Sequence, residues 1–129
     1  MAILDGIEGL EVHVNVSGRG TSKEYADQEE TTPTHASNYI EAVTGAEFTV
    51  NYRFAPHFQS KGAAFAIDVY IDGMFMDGQV AESNKLGSVE YKQCFSGNHD
   101  EIRGQWQLRK FAFSKLIIGR YFATAFTQR

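Results

Sequence analysis

Apolar and polar residues alternate along much of this chain, with the period of two that a half-buried β-strand requires. The clearest such segments are residues 10–16, 46–54, 64–71 and 88–95. Each predicts a strand with one face in the core and the other in solvent. The predicted core positions are Leu10, Val12, Val14, Val16, Phe48, Val50, Tyr52, Phe54, Phe65, Ile67, Val69, Ile71, Val89, Tyr91, Gln93 and Phe95.

The remaining pattern also favours strands over helices. Residues 38–43 (NYIEAV) predict a short strand, and residues 105–113 with 116–126 supply the last one or two. The best helical window, residues 20–31, has no apolar stripe. With 129 residues in one domain, the sequence predicts an all-β, antiparallel sandwich of seven to nine strands that spans residues 1–129. The alternation does not distinguish a jelly-roll-like sandwich from a closed barrel.

A polar, acidic segment at about residues 18–37 interrupts the strands. It contains too little apolar material to bury, so it predicts a long loop. Its carboxylates, among them Glu29 and Glu30, indicate a solvated surface or a contact for a basic partner. Binding residues concentrate in loops of this kind, so Glu29 and Glu30 are candidate binding residues.

Two Asp-Gly pairs, Asp72-Gly73 and Asp77-Gly78, lie five residues apart. Asp-Gly is a strong hairpin signal, because glycine adopts positive φ and the aspartate side chain bonds its own backbone. A calcium loop would place oxygen ligands at regular spacing and close with a glutamate, whereas bulky residues separate these pairs. Both pairs are therefore predicted to be turns.

Charge and cysteine content narrow the function classes. The formal net charge of −4 argues against general nucleic-acid binding. One cysteine, Cys94, allows no disulfide within the chain. The acidic opening lacks the basic start of a secretory signal, and no apolar run approaches a membrane span of about 20 residues. We expect an intracellular protein, cytoplasmic or nuclear, with no membrane association.

No catalytic or metal-binding motif is visible. The four histidines are scattered singly, with no HxH or HExxH spacing, so no metal or other cofactor is expected. His99 and Asp100 lie in a predicted turn and are the best candidates for a general base, with His57 as a distant third candidate. No nucleophile accompanies them.

Aromatic residues outside the predicted core are candidate binding residues. Tyr39, Tyr70 and Trp106 could stack on a sugar or anchor a protein, with Asp68 or Asp72 as hydrogen-bond acceptors. The competing interpretation packs these rings in the core or at a sheet edge, because a one-residue slip in register reverses the face of a strand.

Several segments in order resemble a domain found in many filamentous fungi: the opening Leu-Glu-Val strand, SNYIEAVTGAEFTVNYRF, AFAIDVYIDG, MDGQV and KFAFSKL. The resemblance covers most of residues 1–116. It implies an intracellular fungal β-domain of unknown function and assigns no chemistry. The end of the chain departs from that pattern, and residues 117–129 form either one more strand or a different terminus.

Three hypotheses follow. The first is a non-enzymatic binding or assembly module that recognises a protein partner or associates with itself. The second is a carbohydrate-binding, lectin-like domain that uses the exposed aromatic residues. The third is an enzyme whose site is assembled from distant residues, with His99, Asp100 and His57 as its candidates.

Overall fold

The structure, a computed structural model, describes residues 2–3, 7–27, 32–59, 64–115 and 124–128. Their regular structure is strand, apart from one turn of 3-10 helix. The strands are β1 (Ala2–Ile3), β2 (Leu10–Val16), β3 (Gly20–Thr21), β4 (Glu24–Ala26), β5 (Asn38–Ile40), β6 (Phe48–Phe54), β7 (Ala64–Ile71), β8 (Met74–Glu82), β9 (Tyr91–Phe95), β10 (Gly97–Ile102), β11 (Gln105–Lys110) and β12 (Thr124–Gln128), and the 3-10 turn is Ser83–Lys85. The all-β prediction is confirmed.

The strands form four antiparallel sheets in the described part of the chain. The largest has the order β1-β2-β6-β9, with β3 paired to β2. A second has the order β12-β7-β8, and β4-β5 and β10-β11 are two-stranded. Every pairing between these strands is antiparallel.

The five-stranded sheet and the β12-β7-β8 sheet share one core. Alternation places Phe48, Val50, Tyr52 and Phe54 of β6 in the interior, as predicted. The Phe54 ring lies 5.6 Å from that of Phe65 in β7, centroid to centroid, so side chains of the two sheets interdigitate. Val69 of β7 and Ala81 of β8 complete this core from the second sheet. The core therefore consists largely of stacked and edge-on aromatic rings.

The first Asp-Gly pair forms the predicted turn. Asp72 and Gly73 both have positive φ, 51° and 77°, and join Ile71 of β7 to Met74 of β8. Positive φ at both central residues defines a type I′ turn, whose twist matches that of the flanking strands. The aspartate is therefore explained by backbone conformation.

The turn prediction is wrong for the second pair, because Asp77 and Gly78 lie inside β8. The register with β7 shifts by one residue there, since Val69 pairs with Asp77 but Tyr70 pairs with Phe75. Met76 is the extra residue of this bulge. A Cβ on Gly78 would lie 2.7 Å from Oδ1 of Asp68, so glycine leaves room for that carboxylate.

Other differences lie at the ends of strands. The acidic segment at about 18–37 is not wholly loop, because it contains β3 and β4. Two positions predicted in the core, Val89 and Gln93, are exposed. Val89 is 64% exposed because β9 begins only at Tyr91, and Gln93 lies in the exposed middle of β9. His99 and Asp100 lie in β10 rather than in a turn. Within the region described at the chain's end, β12 forms the additional strand that was one of two expectations.

Candidate functional site

The candidate binding residues lie in separate parts of the molecule. Tyr39 is on the β4-β5 pair, Trp106 is on the β10-β11 hairpin, and Asp68 with Tyr70 is on β7. Glu29 and Glu30 fall outside the described residues. Only Asp68 and Tyr70 share a face of one sheet, so the aromatic residues form no common sugar-binding platform.

The second strand of the β10-β11 hairpin is exposed along its whole length. All six residues of β11 are exposed, although they alternate in the strand direction. A strand exposed on both faces has no core to pack against. Trp106 is 74% exposed, and Leu108 and Ile102 are also exposed large apolar residues. We call Trp106 and Leu108, which lie on one face, the hairpin surface; Ile102 lies on the opposite face.

Hairpin geometry assigns each side chain to a face. Glu101 lies directly opposite Trp106, and His99 lies opposite Leu108, so these four share one face. Asp100 lies on the other face, where its Oδ2 is 3.5 Å from the guanidinium of Arg109. His99 and Asp100 therefore point away from each other, and the predicted general-base pair is not formed.

The base of the hairpin is closely packed. A Cβ on Gly97 would overlap the backbone carbonyl of Arg109, so a side chain does not fit there without movement of the strand. The backbone amide of Phe111 donates to the carbonyl of Ser96 at 3.0 Å, which closes the ladder below Gly97. Gly97 therefore lets β10 and β11 lie close together where the hairpin leaves the two sheets that share the core, which we call the body.

A second exposed surface lies on the outer face of β7 and β8. Tyr70 packs edge-on against Phe75, with ring centroids 5.6 Å apart, and Val80 lies on the same face. Asp68 lies between them, over Gly78. Tyr70 therefore points away from the core, as the alternation predicts, but against a neighbouring ring rather than into open solvent.

The third candidate is a shallow polar depression of about 440 Å³ over the outer face of β2, β6 and β9. Arg53 is engaged there by two carboxylates, Glu11 at 3.0 Å and Glu90 at 3.0 Å. Lys92 also contacts Glu90, at 2.7 Å. These cations are already neutralised by acidic neighbours, so the depression offers little net charge to an anionic ligand.

His13 and Cys94 lie on the same polar face. They occupy one cross-strand row, His13 on β2 and Cys94 on β9, and Asn51 of β6 stands between them. Burial is the main cause that lowers the pKa of His13, and Lys92 lowers it further against the influence of Glu11. Cys94 is a free, exposed thiol. This spacing does not bring the imidazole and the thiol together as a nucleophile and base.

A partly buried pair of hydrogen bonds through Gln79 ties β9 to β8. The hydroxyl of Tyr52 donates to Oε1 of Gln79 at 2.7 Å, and Nε2 of Gln79 donates to the carbonyl of Cys94 at 3.3 Å. Burial is the largest cause that raises the pKa of Tyr52, followed by Tyr91. Gln79 therefore satisfies a polar group in the core and covers part of the open edge of β9.

The described residues contain neither a metal-binding cluster nor a membrane-spanning helix. Among the residues placed by the structure, no group of three or more His, Cys, Asp or Glu side chains could hold a metal ion. No helix long and apolar enough to cross a bilayer occurs in the same residues.

The sequence did not predict the exposed hairpin. Its turn consists of Arg103 and Gly104, both with positive φ, 54° and 78°. The signal available was a glycine at the second central position between two polar alternating runs, which is typical of a type I′ turn. The preceding His99-Asp100 resembled turn residues and concealed β10.

A domain family model, described as a domain of unknown function (DUF7918), matches residues 9–124. No curated protein and no solved structure matches this chain. The match covers the whole of β2 to β11, which includes the exposed hairpin. This chain belongs to the DUF7918 family of domains of unknown function.

Proposed function

We propose that the protein is a non-enzymatic binding or assembly module, which recognises a protein partner or a second copy of itself through the hairpin surface. The observation that carries the proposal is the exposure of Trp106 on a ribbon whose second strand is exposed on both faces. Tryptophan is enriched among the residues that dominate binding energy in protein interfaces.

The energetics of the hairpin support this proposal. A two-stranded ribbon is at best marginally stable in water without packing on one face. Leaving Trp106 and Leu108 in solvent forgoes hydrophobic free energy of about 25 cal/mol for each Å² that burial would remove from water. A partner that covers these side chains stabilises the ribbon and gains affinity from the same contact.

The setting we propose is the inside of a fungal cell, in the cytoplasm or nucleus, in line with the resemblance to a domain of filamentous fungi. The exposed free thiol of Cys94 accords with a reducing compartment. The net charge of −4 favours a protein partner over nucleic acid.

The test uses Trp106 as a reporter, because it is the one tryptophan in the sequence. Protein mass by light scattering and the tryptophan emission maximum are followed over a concentration series. Association through the hairpin surface raises the mass above 14.4 kDa and shifts the emission to shorter wavelength together. Association with unchanged emission would move the contact away from the hairpin, and a strict monomer at high concentration would reject self-association.

A second candidate is carbohydrate binding at Trp106. Glu101 lies directly opposite Trp106 on the same face, which places a hydrogen-bond acceptor beside an exposed ring. A glycan array and a titration of Trp106 emission test this candidate. Silence in both measurements retires it, since a sugar stacked on the only tryptophan changes its emission.

A further inference from the structure

The outer edge of β11 presents unpaired backbone groups at defined positions. In a two-residue type I′ hairpin, the residues that flank the turn, here Ile102 and Gln105, form a hydrogen-bonded pair. Hydrogen-bonded and non-hydrogen-bonded pairs then alternate along the ladder. Trp106, Leu108 and Lys110 therefore direct their N–H and C=O groups away from β10. Over the described ranges, β11 pairs with β10 alone.

This edge lacks most of the features that keep edge strands apart. Natural edges are shortened, bulged, interrupted by proline or charged along their length. β11 has six residues and an unbroken register with β10, and it contains no proline. Its charges, Arg109 and Lys110, are confined to one end, while Trp106 and Leu108 occupy the centre.

We propose that β11 pairs antiparallel with β11 of a second copy, about a two-fold axis at Leu108, so that the two hairpins form one four-stranded sheet. This inference rests on the proposed function and names its partner. Leu108 faces Leu108 of the other copy, and Trp106 faces its Lys110. A strand added to an open sheet edge gains main-chain hydrogen bonds along its length.

The backbone selects this register. A two-fold axis perpendicular to the sheet keeps each face on the same side in both copies, and outward groups must meet outward groups. Only pairs within the set Trp106, Leu108 and Lys110 satisfy both conditions. An axis at Leu108 is the register that pairs all three. An axis at Gln107 or Arg109 leaves one of the three without a partner from the set, and an axis at Trp106 would bring β11 against the turn of the other copy.

The side chains complement one another in the same register. On one face the two Leu108 side chains meet at the axis, and each Trp106 ring receives a Lys110 ammonium, an attractive cation–π contact. On the other face Arg109 lies opposite Gln107. No like charges are directly opposite, and the ion pair of Lys110 with Glu47, at 3.6 Å between exposed groups, is weak enough to yield.

The proposed interface between the two β11 strands buries little surface. One strand from each copy buries less than the roughly 800 Å² per partner of a stable complex. The dimer is therefore weak and depends on protein concentration.

Cross-linking tests the register. Leu108→Cys in a Cys94→Ser background should be joined rapidly by a short bismaleimide, because residues at a hydrogen-bonded pair have Cα atoms about 5.5 Å apart. Gln105→Cys in the same background is the matched control. In the proposed pairing, position 105 of one copy and position 105 of the other are six residues out of register, which is about 20 Å at about 3.4 Å per residue. The reagent should therefore not join them.

Charge substitutions test whether Leu108 lies in the interface. Leu108→Lys opposes like charges at the axis, so light scattering should give the monomer mass of 14.4 kDa at every concentration at which the wild type associates. Ile102→Lys introduces the same charge on the opposite face of the hairpin and should still associate.

The outcomes separate this inference from the proposed function. If the wild type associates with a shift in Trp106 emission, but Leu108→Lys associates equally or Gln105→Cys is joined as fast as Leu108→Cys, the edge pairing is overturned and the hairpin surface stands. If association leaves the emission unchanged, the hairpin surface also fails. A wild type that is monomeric throughout overturns the inference and the self-association on which it rests.

Discussion

The five-stranded sheet and the β10-β11 hairpin are built from similar alternating strands and differ in what covers them. In β6 every second side chain is buried, and the ring of Phe54 contacts the rings of Tyr52, Phe58, Phe65 and Tyr91. In β11 the corresponding alternation separates Trp106 and Leu108 from Gln107 and Arg109, yet all four are exposed.

The comparison shows that alternation places side chains on a face without supplying the layer that covers it. The body closes on itself because two sheets present apolar faces to each other. In the hairpin, β10 contacts β8 of the second sheet, but both faces of β11 are exposed, so Trp106 and Leu108 are available to a partner. The sequence pattern of β11 fits a strand that is completed from outside the chain.

The largest expected effect separates a buried ring from an exposed one. Phe54→Ala should lower the free energy of unfolding by about 3–5 kcal/mol, because the site is fully buried and the cavity is lined by rings that cannot all move inward. Trp106→Ala removes a larger side chain but should change it by less than about 1 kcal/mol. Urea unfolding at the lowest usable protein concentration measures both variants.

The control for this pair is concentration. Trp106→Ala should become relatively less stable than the wild type only as protein concentration rises, because association stabilises the folded state by mass action. If Trp106→Ala were as damaging as Phe54→Ala in dilute solution, the hairpin would be part of the body's core and the comparison would fail.

The sequence predicted β2, β6 and β7 correctly, because these strands share the same alternation of apolar and polar residues. In β2, β6 and β7, apolar side chains at every second position are buried or half-buried. The sequence also predicted the turn at Asp72, where the local backbone alone decides the structure. These are the places where local pattern and tertiary burial agree.

The sequence predictions fail where the same short segment is compatible with two local structures. Asp77-Gly78 has the composition of a turn, but its glycine is needed where Asp68 crosses β8 beside a bulge. His99-Asp100 resembles a loop, because β10 carries polar residues on both faces and shows no apolar alternation. Neither the bulge nor the missing cover is encoded in the period of the pattern, since both depend on residues distant in the chain.

The second prediction concerns the network that closes the body beside β9. Tyr52→Phe should cost about 1 kcal/mol at neutral pH, because it removes the partly buried hydrogen bond to Gln79. Thermal or urea unfolding measures the loss. Tyr25→Phe, on an exposed strand, is the matched control and should be neutral within about 0.5 kcal/mol.

The loss of stability at alkaline pH provides a second test of the Tyr52 hydrogen bond. The pKa of Tyr52 is raised in the folded protein, chiefly by burial, whereas in the unfolded chain it is near 10. The contribution of the neutral hydroxyl is therefore complete below about pH 10 and declines as pH rises through and above that value. Tyr52→Phe should lack this part of the alkaline decline. A variant with an unchanged decline would show that other tyrosines cause it.

The smallest effect is expected at the polar face of the body. The pKa of His13 is lowered in the folded protein, mainly by burial, so below about pH 6.5 the unfolded chain binds the proton more readily. Stability from this group is complete above that pH and is lost as pH falls toward the lowered pKa. His13→Gln should flatten the dependence between about pH 7.5 and about pH 5.5, measured by urea unfolding, while Asn15→Ala on the same face should retain it. If His13→Gln kept the full dependence, acid sensitivity would arise elsewhere, and the burial that distinguishes this sheet from the hairpin would not extend to its outer face.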